Sequence, residues 1–498
     1  MNVNPITRLD YPDPDVIRVE DTYYMVSTTM HFMPGCEILQ SFDLVHWEHV
    51  TYVYETLDHT DAQQLKSGQN IYGQGMWAAS LRYHEGRFYI CFVANDTRKT
   101  YLYTSEKIDG PWKKQLIEGF YHDGSLLFDE DGRNYIVYGN DEIWITELNE
   151  DLTAPKKDGL HRLLVSDHKN PELGYEGSHI QKINGYYYIF LVHSLRDRWM
   201  RTEACFYSDS LEGEFTGGDV LCDDRGYCGQ GVAQGGIVDT PDGKWYAMLF
   251  QDSGAVGRIP ILVPVTWKDH FPVFGQNGHV PEEIEVHSTR PGYIYQPLVG
   301  SDDFCNGLLP RWQFNHDPDP RYYHLDALQG TYTITTREVC TELTQAVNTL
   351  TQRMSYPSCA AEVTVDASAL KEGDVAGLCA LQSCYAAVGI TKHHGKYEVL
   401  MLDKKKDGIL DMTDGTVVES HQMDFRLEAD FCNMKDEARC YYRVNKGDWL
   451  PIGTVHKLYF KLDHFTGCRF GLFCYAAEET GGSACFRDFK YYDVDEIS

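Results

Sequence analysis

Apolar and polar residues alternate along most of this chain in short runs, and turn-forming residues separate one run from the next. Such alternation has the two-residue period of a β-strand with one buried face, and long stretches with helical spacing are rare. Aromatic residues make up 13% of the chain and glycines number 43, a mixture that favours strands and tight turns over helices. The pattern therefore predicts an all-β protein.

One hairpin signature occurs five times in the first half of the chain. A polar turn is followed by aromatic residues or by Asn-Tyr, and then by an apolar residue, as in residues 85–90. The signature tyrosines of the five copies are Tyr24, Tyr89, Tyr135, Tyr188 and Tyr246. Repeats of roughly 50 to 60 residues, each a sheet too small to bury its own face, are typical of a β-propeller. Five copies predict five blades.

The repetition stops near Val265, and the chain changes character beyond that point. Residues 286–301 include Ser-Thr-Arg-Pro-Gly and have the composition of a linker, whereas a different β pattern runs from residue 302 to the end. A segment of about 200 residues with irregular strands and turns suits a β-sandwich. We therefore expect a five-bladed propeller over 1–285, a linker over 286–301 and a β-sandwich over 302–498. The alternative, further blades in the tail, lacks the tyrosine signature.

Several chemically useful side chains occupy the same place relative to the signature tyrosines. Counting back eleven or twelve residues from each tyrosine reaches Asp13, Trp77, Asp123, Glu176 and Gln234. In a propeller the first strand of each blade lines the central channel, so equal register brings these side chains to one axial cavity. Each carboxylate taken alone also has an ordinary interpretation as a turn residue, as for Asp13 between two prolines.

Three carboxylates around one cavity suit the cleavage of a glycosidic bond. That reaction needs a protonated carboxylic acid at the leaving oxygen and an ionised carboxylate on the other side of the sugar. A third carboxylate raises the pKa of a neighbouring acid by repulsion and keeps it protonated near neutral pH. Trp77 is suited to cover a sugar face, and Arg258 either orients hydroxyl groups or forms a structural salt bridge.

Four segments of the propeller half resemble glycoside hydrolase family 43, the inverting five-bladed enzymes that include β-xylosidases and α-L-arabinofuranosidases. The segments are residues 4–18 with Tyr-Pro-Asp-Pro-Asp, 33–47 with Met-Pro-Gly and Asp-Leu-Val-His-Trp, 123–133 with Asp-Gly-Ser-Leu, and 176–188 with Glu-Gly-Ser-His. Each segment alone is a weak signal, and the set together is specific. The resemblance covers about residues 4–280.

The resemblance implies a role for each residue of the register. Asp13 is the general base that activates water, Glu176 is the general acid, and Asp123 orients Glu176 and raises its pKa. Trp77 matches a tryptophan that walls the sugar subsite, and Arg258 matches an arginine that points into the pocket. These are the residues that the register selects, in the roles that the chemistry requires.

The chain also departs from the better-known xylosidases of that family. Gln234 stands where they carry a histidine near a central calcium, so we expect no metal at the site and no required cofactor. Residues 29–35 replace a more aromatic run, which makes His31 and Phe32 candidates for a different sugar platform. With Trp77, Arg258 and Gln234 they complete the predicted substrate-binding set. The motifs do not separate arabinofuranosidase from xylosidase activity.

The tail resembles the concanavalin-like β-sandwich that many of these enzymes carry after the propeller. In relatives that domain packs on the propeller and can lend a residue to the pocket rim. Residues 315–318 (Asn-His-Asp-Pro), or aromatic residues near them, are the candidate contact loop, and a purely structural buttress is the alternative. Asp303 and Asp488 are candidates to flank a structural calcium.

Charge and composition limit the kinds of binding partner and the cellular compartment that we expect for this protein. Acidic residues number 74 against 44 lysines and arginines, a net charge of −30, which argues against nucleic acid or an anionic membrane as partner. No apolar run of 18 residues is present, and the first residues carry no visible secretory signal. The 15 cysteines lack a CxxC pair and suggest reduced thiols in a cytoplasmic protein. A homo-oligomer remains open.

The sequence thus predicts an exo-acting, inverting glycoside hydrolase. Its expected substrate is a plant hemicellulose oligosaccharide, a fragment of arabinoxylan, xyloglucan or arabinan, from which it releases terminal α-L-arabinofuranose, β-D-xylose or both. One alternative is a retaining, fructan-active propeller, in which the first-blade aspartate is a nucleophile. The other is a non-catalytic propeller that binds carbohydrate.

Overall fold

The computed structural model describes residues 2–493, and nearly all of their regular structure is β-strand. The exceptions are four short 3-10 turns at Lys66–Gly68, Gly254–Val256, Leu343–Gln345 and Cys432–Met434. Five four-stranded antiparallel sheets come first in the chain, and two larger sheets follow. The predicted fold, all-β with a five-bladed propeller followed by a β-sandwich, is confirmed.

The propeller half contains 23 strands. In chain order they are β1 (Asn2–Val3), β2 (Asp15–Val19), β3 (Thr22–Val26), β4 (Phe32–Met33), β5 (Gly35–Ser41), β6 (Glu48–Tyr54), β7 (Met76–His84), β8 (Arg87–Ala94), β9 (Lys99–Ser105), β10 (Lys113–Ile117), β11 (Ser125–Phe128), β12 (Asn134–Asn140), β13 (Glu142–Leu148), β14 (His161–Ser166), β15 (Glu176–Ile183), β16 (Tyr186–Ser194), β17 (Arg201–Ser208), β18 (Thr216–Leu221), β19 (Ile237–Asp239), β20 (Trp245–Asp252), β21 (Arg258–Lys268), β22 (Phe271–Phe274) and β23 (Glu283–Ile284). The blades are β2-β3-β5-β6, β7 to β10, β11 to β14, β15 to β18 and β19 to β22.

The signature tyrosines all lie on the second strand of a blade and pair with the first strand. Tyr135, for example, pairs with Leu127, and Tyr246 pairs with Val238. The first strands β2, β7, β11, β15 and β19 are therefore equivalent, and each runs in the same direction beside the axis. A residue at the start of any of them reaches the same end of the propeller.

The ring of blades is held closed near the amino terminus. Strand β1 pairs with β23, and the Asn4 side chain exchanges two hydrogen bonds with the backbone of Leu262 on the last blade, at 2.9 and 3.0 Å. The predicted linker, 286–301, contains no strand and lies along the first blade. Its Arg290 pairs with Asp21, and its Tyr295 hydroxyl accepts the backbone N–H of Phe42.

The sandwich contains the remaining 15 strands. They are β24 (Gln313–Asn315), β25 (Tyr323–Asp326), β26 (Thr331–Thr335), β27 (Leu350–Arg353), β28 (Ser358–Asp366), β29 (Val375–Leu381), β30 (Ala386–His393), β31 (Lys396–Lys404), β32 (Leu410–Met412), β33 (Thr416–Val418), β34 (Gln422–Asp430), β35 (Glu437–Val444), β36 (Leu450–Lys457), β37 (Arg469–Tyr475) and β38 (Ser483–Asp493). One sheet has the order β25-β26-β38-β28-β34-β35-β36, and the other has β32-β31-β30-β29-β37-β27-β24, with β33 beside β31. Residues 494–498 of the predicted sandwich lie outside the described range.

A short strand of the propeller extends the second sandwich sheet. Strand β4, in the loop between two strands of the first blade, pairs with β24 through Met33 to Phe314 and Phe32 to Asn315. The two halves are thus joined by backbone hydrogen bonds as well as by packed side chains. Strand β4 contains Phe32, one of the two residues predicted to form the sugar platform.

No helix in the part of the chain that the structure describes is long and apolar enough to cross a membrane. All 15 cysteines lie within residues 2–493, and each is a free thiol there.

Candidate active site

The predicted site residues begin the first strands of their blades. Asp13 and Asp123 each precede such a strand by two residues, Glu176 opens β15, and Trp77 lies in the first residues of β7. Asp13 and Asp123 have positive φ angles of 52° and 48°, a left-handed conformation that aspartate tolerates better than most residues. The chain turns sharply here before entering the strand, so the side chains gather at one end of the axis.

The Asp13 carboxylate is held by two donors on other segments. Arg258 Nη1 donates to its Oδ1 at 2.9 Å, and the Thr28 hydroxyl donates to its Oδ2 at 2.6 Å. Asp13 and Arg258 are buried, at 6% and 2% exposure. A charge-assisted bond in such a place is strong and directional, so the orientation of this carboxylate is fixed.

Asp123 is buried beside the segment that carries Glu176. Its Oδ2 accepts the backbone N–H of Gly177 at 3.0 Å, directly after Glu176 in the chain. Burial raises the pKa of Asp123 to about 6, the nearby carboxylates of Glu176 and Asp13 add to this, and His122 opposes it. Asp123 thus links two blades and responds to the charges of both other acids.

Glu176 is the most accessible of the three carboxylates, with 19% of its side chain exposed. Its Oε2 accepts a 2.7 Å hydrogen bond from Asn140 Nδ2, at the end of β12, and lies 3.4 Å from His122 Nε2. Sequence reasoning missed both partners. His122 could have been noticed as the neighbour of Asp123, whereas nothing in the chain singles out Asn140.

The structure brings Asp123 and Glu176 together, and the charge of Asp13 acts on Asp123. Atoms of His122, Asp123 and Glu176 all lie within 4.8 Å of one another, the only group in residues 2–493 compact enough to hold a metal ion. Hydrogen-bond donors from Gly177, Asn140 and His122 itself already face these oxygens.

Trp77 and Arg258 form part of the wall, together with a residue of the sandwich. The Phe465 ring lies 5.7 Å from the Trp77 ring, and the Arg258 guanidinium stands 4.6 Å above Phe465. Asp10 anchors this junction, because its carboxylate accepts the backbone N–H groups of Arg258 and Gly467 at 2.7 and 2.8 Å. The sandwich thus contributes an aromatic ring beside Arg258, the arginine that binds Asp13, and no sequence signal identified this ring.

The candidate contact loop, residues 315–318, also meets the propeller, but elsewhere. The His316 backbone N–H donates to the His31 carbonyl at 3.1 Å, and Asp317 Oδ2 lies 2.7 Å from His59 Nδ1. These contacts lie around strand β4 and the segment that follows the first blade. The loop is therefore a structural contact between the domains.

His31 and Phe32 require a correction. Both side chains are completely buried at the junction of the domains, with 0% exposure. The Phe32 ring packs 3.5 Å beneath the Arg469 guanidinium, and the His31 ring lies 4.9 Å from the His316 ring. The predicted sugar platform is absent from these two positions because β4 pairs with the sandwich and carries its side chains into the interface.

Gln234 lies behind the site. It is 5% exposed, its backbone N–H donates to the buried Glu203 at 2.7 Å, and its side chain packs so closely on Gly177 that a Cβ there would come within 2.7 Å of Gln234 Cγ. Gln234 therefore supports the turn that bears Glu176. Burial raises the pKa of Glu203 well above its usual range.

A second cation shares the site with Arg258. Arg201 forms an ion pair with Asp252 and is buried at 8% exposure. Burial, and then the charge of Arg258, lower the pKa of Arg201 to about 10, while Glu176 and Asp13 oppose this effect. The charges of Asp13 and Glu176 thus both act on Arg201, and both act on Asp123.

The opposite end of the axis holds a cavity of about 420 Å³ lined by all five first strands. Its cations are paired, Arg18 with Asp239 and Lys182 with Asp129. Among the residues predicted to flank a calcium, Asp303 and Asp488 line one cleft of the sandwich, where Lys490 also lies. The converging carboxylates are at the other end of the propeller.

Taken together, the fold and the site define a class. A five-bladed propeller with three carboxylates at one end of its axis is a propeller glycosidase, because an acid and a base on separate blades can face one glycosidic bond. The model described as "Glycosyl hydrolases family 43" matches residues 3–272, so the chain belongs to this family. Residues 301–492 match the "Beta xylosidase C-terminal Concanavalin A-like domain".

Relatives and solved structures agree with this assignment. The chain is 26% identical to a "Beta-xylosidase" of Formosa agariphila, over 99% of this chain and 89% of the relative. It is 24% identical to a "Non-reducing end alpha-L-arabinofuranosidase" of Bacteroides ovatus, over 82% and 79%. The solved "Bifunctional GH43-CE" of Bacteroides eggerthii superimposes with a TM-score of 0.93 at 42% identity. That structure covers 100% of this chain, which spans 64% of the other chain's length.

Proposed function

We propose that this glycosidase is exo-acting and inverting, and that it releases terminal β-D-xylose, α-L-arabinofuranose or both from short hemicellulose oligosaccharides. The observation that carries the proposal is the arrangement of Asp13 and Glu176, which come from different blades and are held by different donors. The names of the relatives, xylosidase and arabinofuranosidase, support the two sugars.

Asp13 acts as the general base. With its orientation fixed by Arg258 and Thr28, it takes a proton from a water molecule. The water oxygen forms a bond to the anomeric carbon from the face opposite the leaving group. One displacement of this kind inverts the anomeric configuration.

Glu176 acts as the general acid. It gives its proton to the glycosidic oxygen while the bond from that oxygen to the anomeric carbon breaks, so the leaving sugar departs as a neutral alcohol. Asn140 orients the carboxyl group of Glu176. Because 19% of the Glu176 side chain is exposed, a substrate that enters the site can reach it. Asp123, through Gly177, fixes the turn that presents it.

The wall of the site suits a single terminal sugar. Trp77 and Phe465 offer two aromatic surfaces at an angle of 61°, and Phe465 comes from the sandwich on one side of the propeller. A pocket closed on that side accepts a chain end more readily than a continuous polymer. Fifteen free thiols support a reducing compartment such as the cytoplasm, where imported oligosaccharides would be the substrates.

A panel of nitrophenyl glycosides tests the proposal. We expect turnover of the β-D-xyloside, the α-L-arabinofuranoside or both, and little turnover of hexosides. Proton NMR of the first product from a β-xyloside should show the α-anomer. A first-formed β-anomer would contradict inversion and favour the retaining alternative, and a panel without any turnover would favour the carbohydrate-binding alternative.

A further inference from the structure

His122 lies between two of the three carboxylates. Its Nε2 is 3.4 Å from Asp123 Oδ2 and 3.4 Å from Glu176 Oε2, so one ring nitrogen faces both oxygens. The edge of the ring meets Trp77, with centroids 5.7 Å apart. About 19% of the side chain is exposed, and the residue is therefore part of the pocket wall.

The groups around His122 are mostly acidic. Asp123 comes from the same turn, Glu176 from β15, and Asp13 from the first blade acts on His122 through its charge. Trp77, from the second blade, is neutral. The arginines of the site lie by other acids, since Arg258 pairs with Asp13 and Arg201 with Asp252.

Within ion-pair distance of 4 Å, His122 is therefore the one cationic partner of Asp123 and Glu176 among the described residues, while Arg201 interacts with Glu176 only at longer range. Their remaining donors are neutral, the Gly177 N–H and the Asn140 side chain. Two carboxylates so close together repel each other unless a proton or a cation lies between them. The imidazole of His122 occupies that place.

The protonation of His122 agrees with the geometry. Burial lowers its pKa, but the carboxylates of Asp123, Glu176 and Asp13 outweigh burial and raise the pKa to about 9. At neutral pH the ring is therefore an imidazolium. It carries the positive charge that the pair of carboxylates lacks.

We propose that His122 is a positioning residue of the general acid, which holds Glu176 beside Asp123 and supplies the charge that sets how firmly Glu176 keeps its proton. This inference rests on the proposed role of Glu176. As the proton moves from Glu176 to the glycosidic oxygen, negative charge grows on Oε2, next to the imidazolium. His122 keeps its own proton, and a proton from solvent restores Glu176 after the products leave.

The inference predicts that replacing His122 lowers kcat and shifts the alkaline limb of the pH profile to higher pH. In His122→Asn the positive charge is absent, so Glu176 becomes a weaker acid. The alkaline limb of the kcat/KM profile should move upward by about one pH unit, because an opposite charge at this distance shifts a carboxyl pKa by about that much. On xylobiose, kcat at the plateau should fall about 10- to 100-fold. On a dinitrophenyl xyloside, whose leaving group needs no proton, kcat should change less than threefold.

His161→Asn is the matched control. His161 is on β14, the outer strand of the same blade, where its ring stacks on Trp144 at 5.2 Å, away from the first strands that carry the carboxylates. Its profile should match that of the wild-type enzyme. An unchanged alkaline limb in His122→Asn, or an equal loss of rate on both substrates, would overturn the inference.

A second measurement does not depend on the variant folding. The C2 proton of His122 in the wild-type enzyme should still report an imidazolium at pH 8 by NMR, and a midpoint near 6.5 would overturn the inference. The proposed function has its own test, since Glu176→Gln must lose activity on xylobiose. If Glu176→Gln retains full activity, the acid assignment fails, whereas a failure of the His122 experiments alone leaves that assignment standing.

Discussion

The histidines in two regions of this protein differ in charge. At the axial site His122 faces two carboxylates, and its pKa rises to about 9 in spite of burial. At the junction of the domains, His31, His316 and His464 lie against one another, with ring centroids of 4.9 Å and 5.0 Å from His31 to the other two. Burial lowers the pKa of all three, to about 3 for His464.

The neighbours explain the difference. Neither ring nitrogen of His464 has a hydrogen-bond partner within the described structure. For His31 the contact with Asn315 favours protonation only weakly, and Arg469 adds an opposing positive charge to both rings. Asp463 is the one acid that favours protonation of His464, and its effect is smaller than that of burial. The same side chain is thus a cation where it closes a cluster of acids and a neutral ring where it fills an interface.

The largest expected change comes from replacing Asp13, the proposed general base. Asp13→Asn keeps the size of the side chain and an oxygen that can accept the hydrogen bond from Arg258. The carboxylate that takes a proton from water is lost. We expect kcat to fall by about 10²- to 10⁴-fold on all substrates. Asp424→Asn, which changes a buried acid of the sandwich paired with Arg443, is the control and should keep its kcat. Comparable losses of kcat in both variants would contradict the assignment of the reaction to the axial site rather than to the sandwich.

Phe465 tests the place where the two regions meet. Phe465→Ala removes the ring between Trp77 and Arg258 and opens the wall of the site. We expect kcat/KM on xylobiose to fall by about tenfold or more, mostly through KM, because binding surface is lost while the carboxylates stay in place. Phe465→Leu should recover part of the loss. A KM equal to that of the wild-type enzyme would show that the sandwich only supports the propeller.

The neutral histidines should make the protein sensitive to acid. Their pKa values are lowered in the folded state, so below about pH 6.5 the unfolded chain binds more protons than the folded chain. The free energy of unfolding should therefore fall on acidification, by about 1–3 kcal/mol between pH 6.5 and pH 5.5. Chemical denaturation at both pH values measures this loss.

In His464→Phe one of the three titrating rings is gone, and the loss on acidification should be smaller. The exposed His421, changed to Phe in the same way, should leave the loss unchanged. An identical dependence on pH in His464→Phe would contradict the assignment of neutral rings to the interface.

Asp123 gives the smallest effect and sharpens the contrast with His122. In Asp123→Asn a negative charge beside Glu176 disappears, so the alkaline limb of the kcat/KM profile should move downward by about one pH unit, opposite to His122→Asn. The pH profiles of the two variants, measured side by side, check the sign. Shifts in the same direction would show that charge is not what these neighbours contribute.

The sequence predicted much of the fold because the repeat is local. Each signature tyrosine marks the second strand of a hairpin, and the hairpin register follows from the chain itself. The same register located Asp13, Trp77, Asp123 and Glu176, since equivalent positions on equivalent blades must reach the same end of the axis. The roles of these residues remain a prediction that the proposed experiments test.

Other parts of the site depend on contacts between distant segments. Asn140 and Glu176 are 36 residues apart, and Phe465 reaches Arg258 from the other domain. The prediction for His31 and Phe32 was wrong because β4 pairs with β24 of the sandwich. Neither the sequence of β4 nor that of β24 predicts this pairing by itself.

By itself, the amino-acid sequence determined the all-β class, the five blades and the register that unites the carboxylates, because alternation and hairpin turns act over a few residues. Only the tertiary structure decided which rings wall the pocket and which histidines are charged. Those properties depend on burial and on the nearest charge, and both are set by whichever segment of the folded chain packs alongside.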